Sequence, residues 1–140
     1  MNKGGIEFYK GGLFIDNRGK LFHNNIVELT RVKRFYLIEN INKEFHRGWK
    51  GHEVEKRWFV CVKGQVNIWV INNSDLEKKV NNAVKFTLTE HSLDVLFVPE
   101  NNSTLIKQET DGSRVMVFSD YLLNTSNDEQ LRWPNNQIIL

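Results

Sequence analysis

Short runs of apolar residues recur along the 140-residue chain, most of them alternating with polar positions, and little repeats at helical spacing. The segment RVKRFYLIE (31–39) is rich in β-branched and aromatic residues and predicts a strand. RWFVCVKG and QVNIWVINN (57–73) predict a hairpin joined at Lys63-Gly64, where glycine can take the positive φ such a turn requires. In its second arm Val66, Ile68 and Val70 fall on one face and Asn67, Trp69 and Ile71 on the other, so one face is core and the other amphipathic or covered by a second layer. AVKFTLTE (83–90) repeats the alternation, with Val84, Phe86 and Leu88 on one side. LDVLFVP (93–99) and RVMVFSDY (114–121) are nearly continuous apolar runs, as in strands buried inside a sandwich. ENNS and ETDGS carry turn chemistry, and NNSDLEKKVNN (72–82) reads as a long exposed hairpin loop. The tail NTSNDEQLRWPNNQIIL is polar and then apolar, which predicts a segment that packs back on the domain or on another subunit.

Seven or more short strands with turns at these intervals predict an all-β sandwich or small barrel, and a jelly roll over residues 1–140 as one domain satisfies them. Its interior offers a cavity lined by alternate residues of several strands, where a small-molecule site belongs.

Composition narrows the partners. A formal net charge of +2, with both signs spread along the chain, provides no concentrated basic face for nucleic acid. No apolar run approaches the ~18 residues of a membrane span, and the polar MNKGGIEFYKGG start is unlike a secretory segment, so no membrane association and a cytoplasmic location are expected. Cys61 lies within an apolar run and is expected to be a buried, inert thiol.

The chemistry concentrates in HRGWKGHEVEKRWFVCVKG (46–64). His52 and Glu55 are ligand types, but the later segment VPENNSTLIK adds no histidine, so a complete metal sphere is not expected and the metal assignment is none. No serine or cysteine has a convincing partner base, and no glycine-rich phosphate loop is present. Proton transfer without a cofactor remains. A keto sugar has acidic protons on the carbons beside its carbonyl; histidine suits the base, tyrosine the acid, and a cation or hydrogen-bond donor the enolate oxygen. A nucleoside diphosphate on the sugar would also need basic side chains and an aromatic surface. Arg47, Lys50, His52 and Arg57 lie within eleven positions, with Trp49 and Trp58 interleaved.

The blocks IDNRGKL (15–21), RVKRFYLIEN (31–40), HRGWKGHEVEKRWFVCVKGQV (46–66), LFVP (96–99) and VFSDYL (117–122) follow the order and spacing of the small sugar-nucleotide cupins. The chain resembles the dTDP-sugar 3,4-ketoisomerases and, more distantly, the dTDP-4-dehydrorhamnose 3,5-epimerases, over about residues 12 to 134. The resemblance implies a cupin jelly-roll homodimer that isomerises a dTDP-linked 4-keto-6-deoxyhexose without metal or cofactor, in cell-surface polysaccharide synthesis.

It also implies roles for individual residues. The ketoisomerase Arg-Gly-x-His-x-His pattern falls on Arg47-Gly48-Trp49-Lys50-Gly51-His52, which makes His52 the base and leaves Lys50 where the first histidine would stand. The catalytic histidine of the epimerases would coincide with Lys50 as well. Tyr36 matches a tyrosine lining the ketoisomerase pocket, and Tyr121 matches the start of the motif that carries the epimerase acid. LRWPN is similar to the epimerase ending, Arg57 replaces a glutamine common in ketoisomerases, and a histidine that often follows the later proline is missing around Ser103. The expected catalytic residues are therefore His52, Tyr121 and Tyr36, with Arg47, Lys50, Arg57 and Trp49 binding substrate. The alternative reading is a cupin that has lost its chemistry and only binds a sugar nucleotide or carbohydrate.

Overall fold

A computed structural model describes residues 5–123 and 129–140, which form twelve strands and one short helix. The strands are β1 (Glu7–Tyr9), β2 (Gly12–Asp16), β3 (Gly19–His23), β4 (Arg34–Ile38), β5 (Arg47–His52), β6 (Arg57–Lys63), β7 (Gln65–Asn72), β8 (Val84–Thr89), β9 (Val95–Val98), β10 (Asn102–Gln108), β11 (Arg114–Ser119) and β12 (Gln130–Arg132). Helix α1 (Asn73–Glu77) follows β7. Two antiparallel five-stranded sheets, ordered β1-β9-β6-β11-β4 and β12-β5-β10-β7-β8, face each other, and β2 and β3 form a separate hairpin. This is the predicted jelly-roll sandwich.

The alternation read from the sequence explains the core. Phe59 and Cys61 of the first sheet meet Val66, Ile68 and Val70 of the second, together with Leu88, Leu96, Ile106, Val115 and Val117. Each large apolar side chain removed from water here contributes roughly 1.5–3 kcal/mol. The outward faces are covered as well: Trp49, Ile71, Leu76, Leu105 and Ile138 form a second cluster that includes Trp69 and Trp133 at its margin, and Trp58, Val60, Val95 and Phe97 form a third. Cys61 is buried, and burial pushes its thiol up to about 11, in keeping with an inert group.

Three expectations are corrected. β6 and β7 turn at Gly64 (φ 71°) as predicted, yet they do not pair. β6 lies between β9 and β11 and β7 between β10 and β8, so the turn carries the chain from one sheet to the other and the apolar faces of both arms meet across the core. Segment 72–82 is not wholly an exposed loop, because α1, capped by the Asn72 side chain on Ser74 N–H, buries Leu76 completely. β10 has no counterpart among the predicted strands: Asn102, Ser103 and Thr104 look like loop residues, but they are buried because β10 runs between β5 and β7. Residues 129–140 of the tail pack back as expected, with β12 paired to β5 and Ile138 buried, and 124–128 lie outside the described residues.

Candidate active site

A cavity of about 220 Å³ opens between the sheets, lined by Arg34 and Tyr36 of β4, Arg47 and Lys50 of β5, Arg57 of β6 and Thr104 of β10, among others. Strict alternation along β5 would put Arg47 on the face of Trp49, opposite Lys50 and His52. The strand avoids this with a bulge: Leu105 faces Gly48 and Thr104 faces Lys50, leaving Trp49 without an opposite residue on β10. Gly48 has φ 145°, and a Cβ there would stand 2.5 Å from the Thr104 carbonyl oxygen, so the bulge needs glycine. Arg47 and Lys50 consequently share the cavity wall.

Trp49 stays on the face opposite Lys50 and His52, as alternation requires; the side chain that the bulge moves is that of Arg47. Trp49, expected to bind substrate, packs with Ile71, Leu76 and Leu105 on the outer face and is 1% exposed. Its edge borders a neighbouring groove of about 610 Å³ that shares Arg47 and Lys50 with the cavity and adds Arg132 and Trp133.

His52 lies two residues beyond Lys50 on the same face of β5, opposite Gln130 of β12, a residue that lines the cavity; His52 itself is 2% exposed and lies outside the lining. Its Nδ1 is 2.7 Å from Oε1 of Glu129. The other Glu129 oxygen accepts from the backbone N–H groups of Glu53, at 2.7 Å, and Val54, at 3.2 Å. Burial raises the Glu129 carboxyl, but the bonds from His52 and the two amides outweigh it and leave the group below its usual range. Burial and the nearby Arg57 charge pull His52 down from 6.5 to about 4 against the pull of Glu129. Both directions describe a neutral imidazole that donates from Nδ1 to a carboxylate, which leaves Nε2 as the basic nitrogen.

Glu55, 3.9 Å from His52 Nδ1, is 1% exposed and pairs with Arg34 Nη2 at 3.2 Å. Burial raises its pKa. Arg34 also donates from Nε to the Tyr121 carbonyl at 2.7 Å and stacks over Tyr36 at 4.9 Å. His52, Glu55 and Glu129 present potential ligand atoms within 4.8 Å of one another, yet here the imidazole is bonded to Glu129 and the Glu55 carboxylate to Arg34. Burial raises the Tyr36 hydroxyl, keeping it a proton donor, and lowers Lys50 with help from Arg132 and Arg57. Arg57 is 4% exposed and its burial lowers its pKa; its Nη1 reaches Thr104 Oγ1 at 3.4 Å.

Of the expected residues, Tyr36, Arg47, Lys50 and Arg57 meet in one cavity and His52 adjoins it. Tyr121 is half-buried and outside the lining, and its backbone carbonyl holds Arg34. Sequence reasoning missed Arg34 and Glu129. Arg34 stood within a quoted block beside Tyr36, but Glu129 lies 77 positions from His52 and only the pairing of β12 with β5 joins them.

Residues 6–130 match the family model described as FdtA: WxcM-like, C-terminal. No curated protein matches by sequence. Among solved structures, a 3,4-ketoisomerase from Helicobacter canadensis has a TM-score of 0.71 at 18% identity, covering 94% of this chain and 93% of that one. A mutant of the 3,4-ketoisomerase QdtA from Thermoanaerobacterium thermosaccharolyticum, in complex with TDP-4-keto-6-deoxyglucose, has a TM-score of 0.72 at 16% identity, covering 96% and 92%. A dTDP-4-dehydrorhamnose 3,5-epimerase from Bacillus anthracis with bound TDP has a TM-score of 0.74 at 17% identity, covering 94% and 79%. At these identities the likeness establishes the fold.

Proposed function

The chain belongs to the FdtA (WxcM-like, C-terminal) family, and from that premise we propose that it is a metal-independent isomerase of a dTDP-linked 4-keto-6-deoxyhexose, working by proton transfer. Ketoisomerisation between C3 and C4 is preferred over epimerisation. The observation that carries the reading is the buried His52–Glu129 pair at the edge of a cavity lined by Tyr36, Arg47, Lys50 and Arg57. His52 Nε2 takes the proton beside the ketone; Glu129 fixes the tautomer and steadies the imidazolium that forms. Tyr36 returns or relays the proton, and Tyr121 is the alternative acid. Arg47, Lys50 and Arg57 divide the diphosphate and the enolate between them.

Size supports this division. A cavity of about 220 Å³ suits a sugar ring, so the nucleotide extends over the mouth into the groove that shares Arg47 and Lys50. A homodimer accompanies the reading, supported by large apolar side chains left in water on the β2–β3 hairpin and β4, including Ile15 at 61% and Phe35 at 67% exposed. Among the described residues no helix is long and apolar enough to cross a membrane; a cytoplasmic enzyme of polysaccharide synthesis fits the proposed substrate.

The test is proton NMR of dTDP-4-keto-6-deoxyglucose with the protein in deuterated water, with and without EDTA. Carbon-bound deuterium should enter the sugar at the same rate in both, and His52→Ala should slow it on the order of 10²-fold or more. A loss under about threefold removes His52 as the base. Binding with no exchange at any carbon favours a binding cupin without chemistry, the reading that Lys50 at a family histidine position motivates.

A further inference from the structure

Arg57 stands apart from the other cations around the cavity. Arg34 is engaged by Glu55 and the Tyr121 carbonyl, Arg47 is exposed, and Lys50 offers a point charge. The Arg57 guanidinium is buried over the Phe59 ring at 5.2 Å and lines the cavity, with Nη1 directed to Thr104. Its Nε and Nη2 atoms are buried with no hydrogen-bond partner among the described residues. These two nitrogens form one edge of the planar group and carry parallel N–H bonds, the geometry that grips two oxygens at once. Leaving such donors unmatched in a buried site is costly, so the edge belongs to a ligand with paired acceptors.

We propose that the free edge of Arg57 binds O3 and O4 of the sugar together and thereby confines the reaction to the C3–C4 bond. The proposal rests on the isomerase reading above. In a 4-keto sugar, base removes the proton on C3; that C–H electron pair becomes the C3=C4 double bond as the carbonyl pair moves onto O4. The resulting enediolate holds O3 and O4 on the same side of a planar double bond, so one flat donor edge can meet both. A proton then passes from O3 to O4 while C4 gains a proton, and O3 becomes the carbonyl. The sum is one proton moved from C3 to C4 and one from O3 to O4, with no other reagent. Enolisation toward C5 would place no exocyclic oxygen on C5, and the second N–H of the edge would face carbon. Donating equally to both oxygens makes either competent to end as the ketone, which ketoisomerisation requires.

The experiment follows deuterium at each carbon of dTDP-4-keto-6-deoxyglucose in deuterated water, for the wild type, Arg57→Lys and Arg57→Gln. The wild type should label carbons of the C3–C4 pair and leave the C5 proton in place. Arg57→Lys, which keeps the charge and loses the fork, should lose about 10² in kcat, the scale of a deleted oxyanion donor. Labelling at C5 as fast as at C3, or folded variants within about threefold of wild type, overturns the proposal while leaving a proton-transfer enzyme. Bound sugar nucleotide with no exchange anywhere and no 3-keto product overturns the isomerase reading and this proposal with it. If the variants fail to fold, the wild-type ratio of C3 to C5 labelling decides alone.

Discussion

The two ends of the sandwich are built from the same strands and follow opposite rules. β6 places Arg57 beside the cavity, then Phe59 and Cys61 in the dry core; β10 places Thr104 at the cavity and Ile106 where the cavity and core meet. In the core any well-packed apolar side chain of similar volume serves, because dispersion and the hydrophobic effect have no direction. At the polar end each buried group must find a matching donor or acceptor, and the positions count individually. His52 finds Glu129 and Glu55 finds Arg34, while the buried Nε and Nη2 of Arg57 have no partner among the described residues. Stability is concentrated in one half and chemical potential in the other.

Substitutions that touch one end and spare the other sharpen this contrast. Ile68→Ala in the core should cost the most, about 2–5 kcal/mol in denaturant melts, with exchange per folded molecule unchanged; equal losses of stability and rate would break the comparison. Glu129→Gln should do the reverse, slowing exchange on the order of 10–100-fold by unfixing the His52 tautomer. Its KM should change little, and NMR of the His52 ring should report the lost Nδ1 bond. A purely structural role for Glu129 would lower the melting temperature and leave the rate per folded molecule intact.

Acid should have a smaller, graded effect. His52 has a folded pKa of about 4 against 6.5 when unfolded. Its contribution to stability is fully present above 6.5 and is lost as pH falls toward 4, because only the unfolded chain takes up the proton in that window. The basic form likewise persists in the folded protein down to about 4. kcat/KM should therefore show no histidine limb near 6.5, and its acid limb should lie below pH 5. A limb at 6.5 would mean that Arg57 and burial do not act on His52 as the geometry requires.

Much of the architecture was legible in the sequence, since period-two alternation in 65–71 and 84–88 reports directly which side chains face the core. β10 was not, because it opens on Asn102, Ser103 and Thr104, polar residues that are buried only where β10 runs between β5 and β7 and that show no apolar alternation. The site was legible in part. Arg47, Lys50 and His52 lie within six positions, so local spacing displays them. That Arg47 shares the cavity face with Lys50 was not legible, because a β-bulge reverses the faces of a strand at one residue, and nothing in a periodic pattern announces where the extra residue falls.

By itself, then, the sequence determined the all-β class, the apolar faces and the short segment holding most of the cations and the candidate base. Those properties depend on residue type and near-neighbour spacing. The tertiary structure alone decided that β6 and β7 enter opposite sheets, that Arg47 faces the cavity beside Lys50, and that Glu129 reaches His52 across 77 positions. Each depends on which strands lie side by side, a choice made by the packing of the whole chain and carried by no single stretch of it.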